Sequence, residues 1–443
     1  MTIKQTIFTI CARNYYGLAQ VLRKSIAASN PDVSFVAFIA DGIPDAERED
    51  FGDDAVDALA VMVARVGDSK AREMAFKYNL TEFCTALKPF CFEHLFEDVD
   101  QQRVIYLDPD IFVFSRLDEI LTLLGKTSIV LTPHIIFPSL YEGKRPDSGL
   151  MATGIFNLGF LGLSKSPTST QFLQWWGHRL LDKCFVDGHD ALFTDQKWLD
   201  FVPALFPESE VCYFRHGGAN LAPWNFHERR VTTNADGSFL VSRRANPLQA
   251  GDIAMSTPES VDRLLFVHFS GFDYKKLSQG AIAQGNIEGL DIYDDLGPIV
   301  DRYMQAIQSL EDVVTRFLGR PYAYATFANE VPILAFHRRL YRAAREQDSF
   351  LGDPFAVGPG SFFGMLKRAG LILPDGGQAA FEKLNKNTLS GVDRKLALFN
   401  RLMQFTKRVI GFRNYILLLR LMRPYSRPES QLHLLGKRFR GSL

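Results

Sequence analysis

A short hydrophobic run, Ile7 to Ala12, reads as a strand, and Leu18, Val21, Leu22 and Ile26 then recur at helical spacing. A second run, Phe35 to Ile39, follows and ends at Asp41, an order that predicts the opening of a βαβ unit. Helical periodicity resumes from Ser69 to Leu87, after which Pro89 either begins a new helix or kinks the old one, because it has no N–H to donate. Val104 to Leu107, Ile111 to Phe114 and Ser128 to Leu131 are further strands, Phe172 to Leu181 is a helix, and Leu264 to Phe269 is a strand running into His268-Phe269-Ser270-Gly271. Between Gly154 and Gly162, glycines alternate with bulky apolar residues, which suits either a backbone passing close to a ligand or an ordinary bulged strand. From Pro298 onward strands thin out and helical spacing dominates, over Ile299 to Leu318, Val331 to Arg345 and Lys395 to Leu421. The expectation is an α/β domain over residues 1–280 and a mainly helical region over residues 281–443.

The chain has 443 residues, 47% hydrophobic and 23% charged, which is enough for a large core and a second module. Fifty Lys and Arg balance fifty Asp and Glu, so the chain as a whole carries no bias toward nucleic acid. The balance is uneven along its length. From Arg401 to Leu443 ten basic residues face one acid, Glu429. The five cysteines offer no Cys-x-x-Cys zinc knuckle and read as reduced core residues. Met1 to Ile10 alternates like a strand and lacks the apolar core of a signal peptide, and no stretch reaches the length of a membrane span, so the expected compartment is the cytosol.

The most informative chemistry is Asp108-Pro109-Asp110, set where one hydrophobic strand hands over to the next. On extended backbone residues i and i+2 point the same way, which aims both carboxylates into the crevice at the strand end where open α/β sheets bind ligands. Paired carboxylates suit a hard divalent cation shared with a diphosphate. The chain has neither a Rossmann glycine fingerprint nor a Walker loop to bind phosphate in another way.

With Asp108, Asp110, the Gly154 to Gly162 segment and His268 in this order, residues Thr6 to Lys276 resemble the GT-A fold nucleotide-sugar glycosyltransferases, especially the retaining family typified by glycogenin and bacterial lipopolysaccharide galactosyltransferases. The resemblance implies a Rossmann-like mixed-sheet domain, a nucleoside-diphosphate sugar as donor, and Mn²⁺ or Mg²⁺ held by Asp108, Asp110 and His268. It places Asn14, Tyr15 and Asp41 at the base and ribose, and Lys88 and Asp108 at the donor. It also assigns Gly271 and Lys275 to the phosphates, and Asn157, Asp195 and Gln196 to the sugar. One departure stands out: the family's His-x-x-Gly-x-Lys-Pro-Trp appears here as His268-Phe269-Ser270-Gly271-Phe272-Asp273-Tyr274-Lys275-Lys276.

Each assignment has a plainer counterpart. Lys88 also suits a solvated helix charge, Asp41 a surface cap, Asn14 and Tyr15 turn or core roles, and His268 a hydrogen-bonded core histidine. Trp224 and Asn225, preceded by Asn220 and Pro223, line a sugar or acceptor pocket or form a packed aromatic loop. No general base emerges, and Asp187 and Asp190 read as loop acids; the resemblance by itself implies retention. It also points to a glycan or lipid-linked acceptor, in bacterial surface polysaccharide assembly. Competing readings are a nucleotidyltransferase or phosphohydrolase with the same acidic site, an inactive sugar-binding module, and a helical adaptor. The basic amphipathic tail either lies on an anionic membrane or packs on the catalytic domain with its charges in water.

Overall fold

The computed structural model describes residues 4–138, 146–244, 260–285, 293–347, 352–373 and 391–436. The first strand, β1 (Lys4–Cys11), buries its last six residues and pairs in parallel with β2 (Ser34–Ile39) and β4 (Gln101–Leu107). Helix α1 (Tyr16–Ser29) makes the crossover to β2 and buries the Leu18, Val21, Leu22 and Ile26 stripe. Edge strand β3 (Ala55–Asp57) follows, then α2 (Ala58–Val66), α3 (Asp68–Lys77) and α4 (Leu80–Phe96). After β4 come β5 (Ile111–Val113), α5 (Asp118–Leu123), β6 (Ile129–Leu131), α6 (Asp147–Thr153), β7 (Phe160–Ser164) and α7 (Pro167–Leu180). The short elements β8 (Val186–Asp187), β9 (Leu192–Phe193), α8 (Val202–Leu205) and β10 (Val211–Tyr213) lead to a three-stranded sheet, β11 (Arg229–Thr233), β12 (Phe239–Arg243) and β13 (Asp262–Arg263). Strand β14 (Phe266–His268) then precedes α9 (Tyr274–Ser278), α10 (Gly297–Gln308) and α11 (Glu311–Leu318).

Seven strands form the main sheet in the order β10-β6-β7-β4-β1-β2-β3, with β7 antiparallel to both neighbours and the other pairs parallel. The fold class is therefore the expected one, an α/β mixed sheet followed by a mainly helical C-terminal region. Parallel β1, β2 and β4 all end at one edge, so Cys11, Ile39 and Leu107 deliver the loops after them to the same crevice.

Two compact units are present, Met1–Gly67 with Leu80–Tyr322, and Asp68–Asn79 with Ala323–Leu443. The division thus falls after Tyr322, beyond the expected residue 280. The reason is packing: Ile299, Val300, Tyr303, Ile307 and Val314 of α10 and α11 share a core with Leu18 and Val21 of α1. Gly17 allows this approach, since a Cβ there would lie 2.6 Å from the Val314 Cα.

The second unit holds α3, α12 (Ala335–Gln347), α13 (Phe362–Arg368) and α14 (Val392–Met422). The continuous helix expected over Ser69 to Leu87 is instead two. Buried Arg338 donates to the carbonyls of Ala75, Phe76 and Tyr78, taking up acceptors that a helix end leaves open. Phe76 also packs edge-on against Tyr341 and Phe362, which draws α3 into this unit. Pro89 lies inside α4 and does not begin a helix. The long helix expected over Lys395 to Leu421 is present as α14, interrupted at Gly411, whose φ of 76° and ψ of 164° are not helical.

Candidate functional site

Strand β4 ends at Leu107, and the Asp108 N–H donates to the Gly159 carbonyl while the Asp108 carbonyl accepts from Ile111 N–H. This turn reverses the chain into β5, which pairs antiparallel with β14 so that His268 stands opposite Ile111. The pairing brings the histidine to the acids. His268 Nε2 lies 3.1 Å from Asp110 Oδ1 and 3.6 Å from Asp108 Oδ2, and one ligand atom from each residue falls within 4.8 Å of the others. Both carboxylates keep over a quarter of their surface exposed, whereas the imidazole is buried.

The far side of the imidazole is held as well. Asn157 Oδ1 accepts from Gly159 N–H and from Asn220 Nδ2, and faces His268 Nδ1 at 3.2 Å. An oxygen already serving two donors requires a proton on Nδ1, which leaves Nε2 directed at the acids. That orientation by an outer partner is the arrangement metal-binding histidines use. Burial, the largest influence on His268, opposes its charged form, but Asp110 and Asp108 outweigh it and hold the pKa above the ordinary value. Asp110 is the mirror case: burial raises it, His268 more than compensates, and its pKa is lowered. Two carboxylate oxygens and an imidazole nitrogen so placed form a donor set that could hold a divalent cation.

Gly159 completes this shell by having no side chain. A Cβ at this position would meet the His268 ring at 2.4 Å and Asn157 Oδ1 at 2.8 Å. The glycine pattern therefore makes room for the histidine. Gly159→Ala is expected to displace the ring and weaken Mn²⁺ affinity by about 10- to 100-fold, the range for outer-partner losses. Mn²⁺ titration followed by electron paramagnetic resonance measures this, and unchanged affinity would refute the packing argument.

Lys88 is not a solvated helix charge. It projects from α4 into the interior, where Nζ lies 2.8 Å from Asp195 Oδ2, 4.0 Å from Asp108 Oδ1 and 4.2 Å from the Tyr106 ring centroid. It also donates to the Leu158 carbonyl at 2.7 Å. Asp195 is equally buried and accepts from the Thr194 hydroxyl at 3.0 Å. Burial raises its pKa, with Lys88 opposing the rise. Thr194 has a φ of 46°, an uncommon conformation for a β-branched residue, so strain is stored beside this carboxylate. Tyr106, two residues before Asp108, donates its hydroxyl to Asp108 Oδ1.

The remaining candidates divide. Asp108, Asp110 and Tyr15 line a cavity of about 240 Å³ together with Cys11, Cys84 and Thr85. The Tyr15 ring packs edge-on against Tyr274, and the buried Asn14 Oδ1 has no hydrogen-bond partner among the described residues. Asp41 is turned to the chain itself, accepting from the Arg13 N–H and lying 3.4 Å from Arg13 Nε. Gln196 accepts from Leu158 N–H and Asn157 Nδ2 and donates to the Thr153 carbonyl, so its amide positions the Asn157 segment. Gly271, with a φ of 77°, turns the chain after β14, and Lys275 is exposed on α9. No hydrogen bond among the described residues joins either to the acids or to His268. Asp187 accepts from the backbone of His189 and Asp190 in the β8–β9 loop, as a loop acid does. Trp224 packs edge-on against both His268 and His134, and Asn225 holds the loop through Ala222, His134 and Asn220.

Sequence reasoning missed Tyr106, Arg13, His134 and the part Asn220 plays. Tyr106 was within reach, since strand alternation puts it on the face of Asp108. The others depend on contacts between distant segments.

No family model matches the chain. Two uncharacterized proteins of Bacillus subtilis (strain 168) are similar to part of it. YfnF is 27% identical over 194 residues, which is 43% of this chain and 57% of YfnF. YfnD is 28% identical over 197 residues, 43% of this chain and 54% of YfnD. The chain thus spans about half the length of these curated relatives. Among solved structures, it is similar to the galactosyltransferase LgtC in complex with donor and acceptor sugar analogues, at 19% identity over 69% of this chain and 96% of that one, with a TM-score of 0.37. The glycosyltransferase GlyE of Streptococcus pneumoniae TIGR4 is similar at 13% identity over 74% of this chain and 67% of that one, also with a TM-score of 0.37.

Proposed function

We propose that this chain is a metal-dependent GT-A glycosyltransferase that moves a sugar from a nucleoside-diphosphate sugar to a glycan or lipid-linked acceptor with retention of configuration. The observation that carries this reading is the cluster of Asp108, Asp110 and buried His268, whose two carboxylates line a cavity at the strand ends, backed by the buried Lys88–Asp195 pair.

In this reading Asp108, Asp110 and His268 hold Mn²⁺ or Mg²⁺, which when bound neutralises the charge growing on the departing diphosphate. Tyr15 and Asn14 receive the base, with the unpartnered Asn14 Oδ1 as acceptor. Asp41 sets the loop after β1 through Arg13. Asp195 faces the sugar, and Lys88 keeps it ionised and oriented. Gly271 and Lys275 belong to the phosphate end. The bond from the anomeric carbon to phosphate oxygen breaks, the acceptor oxygen bonds that carbon, and the acceptor proton passes to the leaving phosphate. Retention by this front-face route suits a site where the neighbouring carboxylate Asp195 is locked to a lysine, with Asp187 and Asp190 in a surface loop. Donor titration by calorimetry over a panel of nucleoside-diphosphate sugars, with and without Mn²⁺, tests the reading. Saturable binding of one donor only with metal is expected, and no binding across the panel would overturn it.

The proposed setting is the cytoplasmic face of a membrane. Among the described residues no helix is long and apolar enough to cross one. Helix α14 buries none of its residues, and Leu398, Phe405, Val409 and Phe412 are 63–71% exposed. Its seven Lys and Arg face one acid, Asp393. Apolar surface and cationic charge together favour an anionic bilayer surface. The tail residues Lys437, Arg438 and Arg440 lie outside the described residues. Sedimentation with vesicles should show binding to anionic but not zwitterionic lipid, reduced at least tenfold in Phe405→Glu/Phe412→Glu. Equal binding by that variant would remove the assignment.

A further inference from the structure

The segments that hold Asn157 and Gln196 also build a second cavity. It measures about 430 Å³, within the roughly 300–1,000 Å³ of small-ligand sites. Its lining is apolar, with Pro133, Ile135, Ile155, Phe156 and Pro203 among its walls, and among the described residues Arg215 is its sole charged lining residue. Ile155 and Phe156 immediately precede Asn157, Pro133 and Ile135 flank His134, and Pro203 follows the turn Gln196–Phe201. Pro133 bridges Phe156, and Phe156 stacks on Tyr213, so the floor is rigid.

Two features point to an amphipathic anionic ligand. The first is exposed apolar surface. Ile155 is 54% exposed, and Met151, Phe201 and Leu205, from the segments that contribute Ile155 and Pro203, are at least half exposed. Large apolar side chains grouped in this way on a surface mark a binding site more often than a core defect. The second is charge. Two acids of this region are already engaged, Glu228 by Arg229 and the amides of Ile136 and Phe137, and Asp200 by Lys197 and the Ile155 amide. Arg215 is exposed and has no acidic partner among the described residues, and the Arg243 guanidinium lies 5.6 Å from the centre of the Phe137 ring. A neutral lipid would leave Arg215 uncompensated, and a free phosphate would leave the apolar wall in water.

We infer that this cavity binds the hydrocarbon-phosphate end of a lipid-linked acceptor, the chain against Ile135, Ile155 and Phe156 and the phosphate at Arg215. The inference rests on the transferase reading and names its acceptor class. Its geometry is economical, because one extended segment sends Phe156 to the lipid and Asn157 to the network around His268.

The test is calorimetric titration of the full chain with octyl phosphate, octyl glucoside and inorganic phosphate, each below its micelle concentration where one exists. Octyl phosphate should bind saturably and at least tenfold more tightly than either of the others. Arg215→Gln should weaken octyl phosphate about tenfold and leave octyl glucoside unchanged, and Ile155→Asp should weaken both. Absence of octyl phosphate binding, equal affinity for inorganic phosphate, or affinities indifferent to both substitutions would overturn the inference, the last outcome placing the ligand elsewhere. Donor titrations on the same preparations separate the two readings. Donor binding without octyl phosphate binding sinks this inference alone, whereas octyl phosphate binding without any donor binding removes the transferase reading and leaves the lipid-phosphate site standing.

Discussion

Asp110→Asn is expected to abolish metal-dependent donor binding and to lower kcat/KM by roughly 10³-fold or more, the scale on which a group stabilising transition-state charge acts. The substitution keeps the shape of the side chain and removes one anionic ligand. Asp110 is chosen over Asp108 because Asp108 has structural partners besides: it accepts from the Tyr106 hydroxyl and lies 4.0 Å from Lys88. Asp110 meets chiefly His268, at 3.1 Å. Loss of its charge also removes the main influence holding His268 above its ordinary pKa. Calorimetry with donor, with and without Mn²⁺, checks this alongside the rate. Metal-free titrations of the wild type and the variant should coincide. A variant that retains Mn²⁺-enhanced donor binding would show that the cluster is a structural ion pair and no metal site.

Lys88→Met is expected to be the most destabilising single change at the site. Lys88 and Asp195 are each about 2% exposed at the side chain, and deleting one member of a buried pair leaves the other uncompensated, at about 3–5 kcal/mol. The loss should depend on pH. The Asp195 pKa is already raised by burial, and Lys88 is the principal opposing influence, so removing the lysine moves it further up. A carboxyl with a pKa higher in the folded than in the unfolded state binds more protons when folded. Stability is then fully present below the unfolded value and is lost as pH rises through the folded one. The deficit of Lys88→Met should therefore be large at neutral pH and shrink on acidification. Urea unfolding across this range measures it. Adding Asp195→Asn should restore much of the neutral-pH stability and leave transfer abolished. A deficit that is independent of pH, or one the second change does not relieve, would mean that Lys88 acts through packing alone.

Some of this site could be read one strand at a time. Asp108 and Asp110 stand out because apolar runs on both sides declare a strand end, and His268 because its own run declares another. Alternation along β4 even implicates Tyr106. Lys88 was ambiguous for a definite reason: α4 carries apolar residues on most of its faces, so periodicity does not say which way a lysine points. Asn157 stands out as a polar residue in an apolar stretch, whereas Gln196, beside Thr194, Asp195 and Lys197, is singled out only by the family resemblance; the partners of both lie in other segments, and those partners turn them toward holding the backbone. The Gly154 to Gly162 pattern suited either a close approach to a ligand or a bulged strand, and at Gly159 the room is taken by the His268 ring.

Local pattern, then, determined the strands that frame the site, the α/β class, the acidic pair and the helical character of the C-terminal region, because alternation and helical spacing record which face each element must bury. Only the tertiary structure decided the rest. The antiparallel pairing of β5 with β14 joins the histidine to the acids, burial makes Lys88 the partner of Asp195, and Arg338 divides one predicted helix into two. Packing of α10 and α11 on α1 carries the first unit on to Tyr322. Each of these depends on groups distant in sequence meeting in a desolvated interior. There an unpaired charge or carbonyl is costly enough to select one arrangement, and no periodicity along the chain records that cost.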